Sequence, residues 1–331
     1  MATLLLTHTE EALQNYYGER ALAGLRALGE VRRNRSGREF TFDELVAQAG
    51  GCEVIVSYRQ TAAPAALFDA LPALVAFTRC AIDIRNVDVA AASAHGVLVT
   101  QASAGFVAAV SEWVFGAMID LGRGIGAAAA AYRAGSVPAA TMGRQLEGAT
   151  LGVIGYGQIG RRVCELGIAF GMRVLASDPH VRVDRGGPVQ TELPALLAES
   201  DYVVCLAIAN EATENLIDAR AFARMKPGAF FVNPSRGNLV DEAALLDALE
   251  SGRVAGCAMD VGRAPDQMPT PALARHPKVI ATPHIGGLTP QAIEHQSLET
   301  VAQVGEILQG RAPKGAVNAE RASRLARLRP P

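Results

Sequence analysis

A glycine-rich segment between an apolar run and a helical stretch most constrains how this chain can fold. Gly155, Gly157 and Gly160 follow the apolar run 151–154, and Asp178 closes a second apolar run. In a strand–turn–helix unit the first glycine permits the tight turn, the second lets the backbone approach a pyrophosphate, and the third lets the helix pack on the strand. Asp178 lies about 20 residues further on, where an acid accepts hydrogen bonds from ribose hydroxyls and repels a 2′-phosphate. The segment predicts a doubly wound α/β domain that binds NAD in preference to NADP.

Two residues near Asp178 leave the cofactor preference partly open. His180 and Arg182 could accommodate a 2′-phosphate, but as loop residues they are also expected to be solvated. A glycine-rich turn can, in addition, serve a purely structural purpose in an unrelated α/β sheet. Strand, turn, helix and acid occur here in the expected order, which favours the nucleotide interpretation.

Length and composition set the architecture and limit the partners. At 331 residues the chain is longer than one hydrophobic core usually serves, so we expect two domains. Half of the residues are apolar but only 5% are aromatic, which suits closely packed α/β layers. A formal net charge of −2 gives no electrostatic argument for binding nucleic acid or an anionic membrane. A small-molecule substrate is therefore the expected partner.

The cysteines and the chain start bear on compartment. Five cysteines lie far apart in apolar surroundings, and no pair has metal-ligand spacing: Cys52, Cys80, Cys164, Cys205 and Cys257. They are expected to be reduced, and no metal site is expected. The first residues lack the basic and apolar segments of a signal peptide, and no stretch has the length of a transmembrane helix. We expect a soluble, cytoplasmic protein.

Apolar runs separated by helical stretches predict the order of elements. In the first hundred residues they predict short parallel strands at 4–6, 54–56, 74–77 and 97–99. Helical patterns follow at 107–122 and 127–132. After the glycine segment, further strands are predicted at 202–207, 229–233, 256–260 and 279–282, which makes a sheet of five parallel strands.

The end of the chain suggests a discontinuous domain. A helical pattern at 291–308 follows a strand set that is already complete, so this helix is expected to return to the N-terminal unit. We therefore expect one domain of residues 1–102 and 289–331, and a nucleotide-binding domain of residues 103–288. The closing arginines are expected to form a solvated, frayed terminus: Arg321, Arg324, Arg327 and Arg329.

Three loops that follow predicted strands carry residues suited to one reaction. They contain Arg236, Asp260 and His284. Ligands of parallel sheets bind beyond the carboxyl ends of the strands, so these residues are expected around the nicotinamide. Oxidising a hydroxy acid needs a base for the hydroxyl proton and a cation for the carboxylate. His284 is the predicted base and Arg236 the predicted anion anchor, although each taken alone could merely stabilise a loop.

Together these segments resemble the D-isomer-specific 2-hydroxyacid dehydrogenase family over nearly the whole chain, with matching stretches at 147–155, 225–229, 233–237, 240–242 and 282–287. The resemblance implies an NAD-dependent oxidoreductase with a Rossmann domain, a smaller flavodoxin-like substrate domain built from both termini, and a homodimer formed through the nucleotide domain. It assigns Arg236 to substrate binding, His284 to proton transfer and Asp260 to the nicotinamide amide. It also implies further cofactor-binding residues: Gln158, Ile159, Pro234, Ser235, Gly286 and Gly287.

The first departure from the family concerns the partner of the histidine. The family usually has a glutamate, before a proline, that hydrogen-bonds the catalytic histidine, whereas here the segment after Asp260 lacks it. A carboxylate beside a histidine raises its pKa and fixes its tautomer, so a differently tuned acid–base group is expected. Asp266 is the nearest substitute and a candidate catalytic residue. Capping of a surface turn is the alternative role for Asp266.

The second departure lies in the loop that the family uses to bind the substrate carboxylate through glycine amides. Ala81 and Asp83 stand where glycines are usual, next to Ile82, and Arg85 stands where an acid is usual. A Cβ hinders close backbone approach, and Asp83 would repel an anion unless Arg85 compensates. We expect a substrate somewhat outside the common glyoxylate, pyruvate and phosphoglycerate set.

The leading functional hypothesis is oxidation of a D-2-hydroxy acid, or reduction of the matching 2-keto acid, of a kind similar to glyoxylate or hydroxypyruvate. One alternative is an NAD(H)-sensing regulatory protein with weak catalysis, which the missing glutamate allows. Another is a branch of the family that acts on a different small anion, which the altered loop allows.

Overall fold

The computed structural model describes residues 2–183 and 185–328, without the side chain of Asp266. The chain divides into two compact units, which we call the terminal unit (residues 1–106 and 289–331) and the central unit (residues 107–288). The sequence interpretation places the first boundary after residue 102. Assignment of the units as substrate and nucleotide domains stays a prediction.

The terminal unit is built on a parallel sheet. Within the described residues its strands are β1 (Thr3–Leu6), β2 (Glu30–Arg33), β3 (Val54–Ser57), β4 (Ala76–Arg79) and β5 (Leu98–Gln101). They pair in the order β2-β1-β3-β4-β5, and each pair is parallel. This is the flavodoxin-like strand order, so the expected fold class is confirmed for this unit. Strand β2 was missed because its sequence, Glu-Val-Arg-Arg, has no apolar run; it lies at the sheet edge, where charged side chains are common.

Helices cover this sheet and include one from the end of the chain. They are α1 (Glu10–Tyr16), α2 (Glu19–Leu28), α3 (Phe42–Ala49), α4 (Ala65–Ala70), α5 (Val89–Ala94) and α13 (Pro290–Leu308). Helix α13 packs on α2, where a Cβ at Gly24 would lie only 2.9 Å from a methyl group of Val301. Arg20 and Glu294 also form an ion pair between these helices at 2.6 Å.

The prediction that the C-terminal arginines are frayed is wrong for Arg324 and Arg327. Residues Ser323–Leu328 form a 3-10 helix with Leu325 buried. The guanidinium of Arg324 donates to the carbonyls of Leu71 and Leu74 at 2.9 and 2.8 Å. Arg327 donates to the carbonyl of Pro72 at 2.8 Å, whereas Arg329 lies outside the described residues.

The central unit has a longer parallel sheet than the five strands expected. Its strands, among the residues described, are β6 (Thr150–Ile154), β7 (Arg173–Ser177), β8 (Val189–Gln190), β9 (Tyr202–Cys205), β10 (Ala229–Asn233), β11 (Val254–Met259) and β12 (Val279–Ala281). They pair in the order β12-β11-β10-β9-β6-β7-β8. The chain runs outward from β6 to β8 and then returns to β9 on the other side of β6. This is the Rossmann arrangement, with its switch point between β6 and β9.

Helices of the central unit connect these strands. They are α6 (Val107–Arg123), α7 (Ile125–Arg133), α8 (Gln158–Ala169), α9 (Leu193–Glu199), α10 (Ala219–Arg224), α11 (Glu242–Glu250) and α12 (Pro271–Ala274). Strands β6, β9 and β10 are buried along their whole length, as in a sheet covered by helices on both faces. Among the described helices none by itself is long and apolar enough to cross a membrane. Helices α6 and α7, which are bent by 69° relative to each other, have the length and composition of a membrane span only when they are taken together.

Candidate active site

The glycine turn between β6 and α8 has the geometry that each glycine predicts. Gly155 has φ +96°, and a Cβ there would lie 2.5 Å from the carbonyl oxygen of Leu206. A Cβ on Gly160 would lie 2.1 Å from the carbonyl oxygen of Gly155. A Cβ on Gly157, by contrast, would meet no atom within 4 Å. The first and third glycines are thus required by protein packing, while the space beside the second is open to a phosphate at the start of α8.

Asp178, at the carboxyl end of β7, supports this turn. Its Oδ2 accepts the backbone N–H of Tyr156 at 2.8 Å, and its Oδ1 accepts those of His180 and Val181 at 2.8 and 2.9 Å. Burial raises the pKa of Asp178, but these three N–H groups outweigh it and hold the pKa below its ordinary value. The residue is therefore a carboxylate at neutral pH and joins the glycine turn to the end of β7. These features fit a dinucleotide, with Gln158 and Ile159 opening α8 at the same turn.

Asp260 organises the loop that carries His284. Its side chain is only 2% exposed at the end of β11. Its Oδ1 accepts the Thr282 hydroxyl at 2.6 Å and the Ile285 N–H at 2.8 Å, and its Oδ2 accepts the Gly286 N–H at 2.7 Å. A Cβ on Gly286 would lie 2.8 Å from that same Oδ2, so glycine is required for this approach. The carboxylate thus holds the loop after β12 in place through three hydrogen bonds.

His284 lies at the centre of this loop in a conformation that is unusual for a residue other than glycine. Its φ is +55°, in the left-handed region. Its N–H points to the carbonyl oxygens of Asp260 and Thr282, at 3.0 and 2.9 Å. Left-handed residues outside glycine cost about 1–2 kcal/mol, and they are found where the surrounding structure imposes them. The bonds to Asp260 supply that constraint, while the imidazole remains half-exposed.

Arg236 follows β10, the strand next to β11, in a loop shaped by Asn233. The buried Asn233 amide donates to the Arg236 carbonyl at 2.9 Å and accepts the Ser235 N–H at 3.0 Å. The Ser235 hydroxyl donates to the Ala207 carbonyl at 2.9 Å, which joins the loop to the end of β9. Pro234 is buried, and the half-buried Arg236 guanidinium donates to the Ser235 carbonyl at 2.8 Å. Arg236, Asp260 and His284 therefore follow three adjacent parallel strands at one edge of the sheet.

In the terminal unit, the loop after β4 carries an internal ion pair. Both Asp83 oxygens accept from the Arg85 guanidinium, at distances down to 2.6 Å, and Asp83 also accepts the Arg85 N–H at 3.0 Å. Hydrogen bonding to Asp83 raises the pKa of Arg85. Ile82 is exposed and Ala81 half-buried. The charge of Asp83 is thus matched by Arg85, as the compensation hypothesis requires.

A buried arginine beneath this loop was not identified from the sequence. Arg79 is fully buried at the end of β4 and donates to the carbonyl of Tyr58, to the carbonyl of Thr61 at 2.9 Å and to Asn86 Oδ1 at 2.5 Å. Burial lowers the pKa of Arg79 to about 10, so it remains a cation at neutral pH. It fixes the loops after β3 and β4 to each other. The isolated basic residue at the end of an apolar strand was the only signal in the sequence.

Of the remaining predicted site residues, the structure describes Gly287 in full but not the side chain of Asp266. Gly287 follows Gly286 in the His284 loop and is half-buried. The backbone of Asp266 lies in a 3-10 turn, Pro265–Gln267, but its side chain lies outside the described structure. A contact between Asp266 and His284 therefore stays a prediction.

Known proteins resemble both the sequence and the fold. Residues 115–286 match the family described as D-isomer specific 2-hydroxyacid dehydrogenase, NAD binding domain. The D-3-phosphoglycerate dehydrogenase of Mycobacterium bovis is 34% identical over 280 residues, which are 83% of this chain and 53% of that protein. The chain thus spans about half the length of the curated relatives that it matches.

Two solved structures extend the likeness over both units. The TT0316 protein from Thermus thermophilus has a TM-score of 0.86 at 28% identity, and the match covers 95% of this chain and 99% of that one. The D-lactate dehydrogenase from Escherichia coli has a TM-score of 0.81 at 25% identity, with the same coverage of 95% and 99%. These matches confirm the expected fold, NAD as the cofactor of the family, and oxidoreductase as its class. The chain belongs to the D-isomer-specific 2-hydroxyacid dehydrogenase family.

Proposed function

We propose that this chain is an NAD-dependent oxidoreductase that interconverts a D-2-hydroxy acid and the matching 2-keto acid. The observation that carries the proposal is the buried Asp260 carboxylate, which fixes the His284 loop at 2.6–2.8 Å beside the strand that leads to Arg236. A rigid loop that presents a half-exposed imidazole is what a proton-transfer group needs. An NAD(H) sensor without catalysis would have no evident need of both Arg236 and His284.

His284 is proposed to move the proton and Arg236 to bind the carboxylate. An imidazole exchanges a proton readily near neutral pH, so His284 can accept the hydroxyl proton in oxidation and return it in reduction. A guanidinium offers a planar pair of donors that matches a carboxylate. Asp266 is the proposed partner of the imidazole, and Asp260 the proposed contact for the nicotinamide amide.

The residues that would hold NAD are those of the glycine turn and of the neighbouring strand ends. Gly155, Gly157 and Gly160 form the turn for the pyrophosphate, and Asp178 would accept the ribose hydroxyls. Bound NAD supplies the hydride acceptor or donor. Gly286 and Gly287 add no side chains of their own to the segment that follows His284.

The substrate class is proposed from the loop in the terminal unit. Because Asp83 is paired with Arg85, this loop does not present an uncompensated negative charge to a substrate carboxylate. Ala81 and Asp83 nevertheless place Cβ atoms where glycine would allow closer approach. This favours a 2-hydroxy or 2-keto acid substrate somewhat outside the common set of glyoxylate, pyruvate and phosphoglycerate, and it keeps a different small anion as the second candidate. Both a phosphoglycerate and a lactate dehydrogenase are among the similar proteins, so neither substrate is singled out.

A steady-state assay tests the proposed function. The purified protein is assayed with NADH against glyoxylate, hydroxypyruvate, pyruvate and larger 2-keto acids. With NAD it is assayed against the D- and L-forms of the chiral hydroxy acids and against formate and phosphite. Turnover of at least one 2-keto acid, with the D-hydroxy acid as product, is expected. Binding of NADH without turnover of any compound would favour the sensor, and turnover of formate or phosphite alone would favour the second candidate.

Asp178 is expected to set the preference for NAD. Asp178→Asn keeps one of the two oxygens that accept backbone N–H groups and removes the charge that repels a 2′-phosphate. We expect kcat/KM for NADPH relative to NADH to rise about 10-fold, or about 1.4 kcal/mol. The measurement is kcat/KM with each cofactor at a saturating 2-keto acid. Asp247→Asn, on the exposed side of α11, is the control and should leave the ratio unchanged. An unaltered ratio in Asp178→Asn would assign the preference to other residues.

We also propose that the chain forms a homodimer through the central unit. The segment after α7 exposes Val137 by 81% and Met142 completely, and Tyr132 on α7 is 62% exposed. Arg144, which follows this segment, lines a cavity of about 600 Å³ together with Phe170. Exposed apolar side chains on a segment without regular secondary structure are typical of a surface that a partner covers. Light scattering after size exclusion should give twice the chain mass of 34.6 kDa. The double variant Val137→Asp, Met142→Asp should have the mass of the monomer. A parent protein that is itself monomeric would contradict the proposal.

The proposed cytoplasmic location is supported by the cysteines. All five are free thiols and buried. Burial raises the pKa of Cys80, Cys164 and Cys205 to about 12, so these thiols are not reactive thiolates at neutral pH. This is typical of core residues in a reducing compartment.

A further inference from the structure

The segment that follows β11 is connected to two loops, not one. Asp260 begins the segment and fixes the His284 loop, as described above. Arg263 lies three residues further along and reaches the loop that follows β10. Both candidate catalytic loops are therefore attached to the same short stretch of chain.

Arg263 makes a dense set of hydrogen bonds with the residues after Arg236. Its guanidinium donates to the carbonyls of Asn238 and Val240, both at 3.1 Å, and its Nε also donates to Val240 at 3.2 Å. It donates further to Glu214 Oε1 at 2.9 Å and to Asn215 Oδ1 at 2.5 Å. A planar guanidinium can hold several acceptors in one fixed geometry, which an ammonium group cannot do.

The partners of Arg263 also bind one another. Glu214 Oε2 accepts the Asn238 amide at 2.9 Å, and the Asn215 N–H donates to the Asn238 carbonyl at the same distance. The bonds from Asn238 and then Arg263 hold the pKa of Glu214 below its ordinary value, so the ion pair with Arg263 is present at neutral pH. Asn215 has φ +52°, a left-handed conformation that this network maintains. Loss of Arg263 would therefore remove the centre of the network.

The backbones of the two segments are in direct contact as well. A Cβ on Gly237 would lie 2.0 Å from the carbonyl oxygen of Gly262. Gly237 follows Arg236 directly and begins the 3-10 turn Gly237–Leu239, while Gly262 precedes Arg263. Backbone packing sets how closely the segments approach, and the guanidinium of Arg263 fixes the turn against sliding or opening.

We infer that Arg263 is a positioning residue for Arg236: it holds the turn Gly237–Leu239, and through it the orientation of the proposed anion anchor. The inference rests on the proposed function for its effect on substrate, but its structural part can be tested separately. Arg263 acts through the loop and not on the reacting atoms. A guanidinium that binds a carboxylate through two donors loses binding when its loop moves by about 1 Å. The glycine turn after β6, which is proposed to bind the pyrophosphate of NAD, is not among the partners of Arg263 named above.

The test uses the full-length protein and three variants. Arg263→Ala removes the network, Arg263→Lys keeps the charge without the fork, and Arg173→Ala removes a different exposed arginine, paired with Glu199 at 2.7 Å, as a matched control. Amide hydrogen exchange is followed in peptides covering 234–242 and 282–288. In parallel, KM for the best 2-keto acid, inhibition by oxalate and the dissociation constant of NADH are measured.

The expected result separates the two loops. In Arg263→Ala, exchange in peptide 234–242 should be at least about tenfold faster while peptide 282–288 changes little. KM for the keto acid and the inhibition constant of oxalate should rise about 10-fold or more, with the NADH dissociation constant within about twofold. Arg263→Lys should fall between Arg263→Ala and the parent protein, and Arg173→Ala should match the parent.

Other results would overturn either the positioning role of Arg263 or the proposed oxidoreductase function, and the two cases can be told apart. Unchanged exchange in 234–242, or equal acceleration in both peptides, would show that Arg263 does not position this turn. Faster exchange in 234–242 without any rise in KM would overturn its link to Arg236. If the parent protein reduces no 2-keto acid and does not bind oxalate, the proposed function is wrong, and the exchange result alone then decides whether Arg263 holds the turn.

Discussion

Replacing His284 with asparagine is expected to lower kcat by about 10²–10⁴, the range that a positioned proton-transfer group contributes. Asparagine is the suitable replacement because His284 has φ +55°, and asparagine tolerates the left-handed conformation better than alanine. The fold and the cofactor site should therefore be retained. NADH should still bind with a dissociation constant within about twofold of the parent value, because the glycine turn is untouched.

The measurement is kcat as a function of pH, together with NADH binding by fluorescence. His284→Asn should lose the step that an imidazole contributes to the profile, whereas His276→Asn, at a histidine outside the proposed site, should keep both rate and profile. The same profile tests the proposed partner, because Asp266→Asn should move the step if Asp266 faces the imidazole. A His284→Asn variant with nearly full kcat would remove His284 from the mechanism.

The cofactor side of the fold could be predicted because each signal has a local physical cause. Gly155 and Gly160 are fixed by clashes that any Cβ would make with nearby backbone, and those clashes are the same in every turn of this type. The position of Arg236, Asp260 and His284 at one edge of the sheet follows from a general rule, since carboxyl ends of parallel strands lie together. The sequence therefore identified these loops without knowledge of their contacts.

Contacts between distant segments could not be predicted in the same way. Arg263 meets Glu214 and Asn238, and Asp260 meets Thr282, only after the strands are assembled. Nothing in the local sequence distinguishes a guanidinium that binds backbone carbonyls from a solvated one. The same limit explains the error at Arg324, which was expected to be frayed but binds two carbonyls of the terminal unit.

Strands at sheet edges were the other source of error. Strand β2 is polar and β8 is two residues long, with both residues exposed. Neither has the apolar run by which a buried parallel strand is recognised. The other buried strands were found, with ends displaced by a few residues, but β7 is buried and lies inside the sheet, and its apolar run was not counted among the five expected strands. The fold class was therefore predictable, while the full strand count was not.

Asp260→Ala is expected to reduce both stability and activity, because the carboxylate is the common acceptor for the His284 loop. Its removal leaves the Thr282 hydroxyl and the N–H groups of Ile285 and Gly286 without the acceptor they have in the structure. Each polar group left unsatisfied in a buried site costs about 1–3 kcal/mol, and some of that cost is recovered as water enters the partly exposed loop. We expect the free energy of unfolding of the central unit to fall by about 3 kcal/mol.

The effect on activity should exceed the effect on cofactor binding, because the Asp260 contacts hold the loop of the proposed proton-transfer group. Urea denaturation gives the stability change, and amide exchange in residues 282–288 should be the most strongly accelerated signal. Asp260→Asn keeps one carbonyl acceptor but turns an N–H group toward donors, so it should lie between Asp260→Ala and the parent protein. The control Asp247→Ala removes an exposed carboxylate from the same unit and should change stability by less than about 0.5 kcal/mol.

Two outcomes distinguish the possible roles of Asp260. If the stability of Asp260→Ala equals that of this control while kcat falls, Asp260 acts on the bound cofactor, as the family resemblance implies, and does not hold the loop. A fall in stability together with kcat, with exchange accelerated in 282–288, would instead assign its main effect to holding the left-handed backbone of His284 in place.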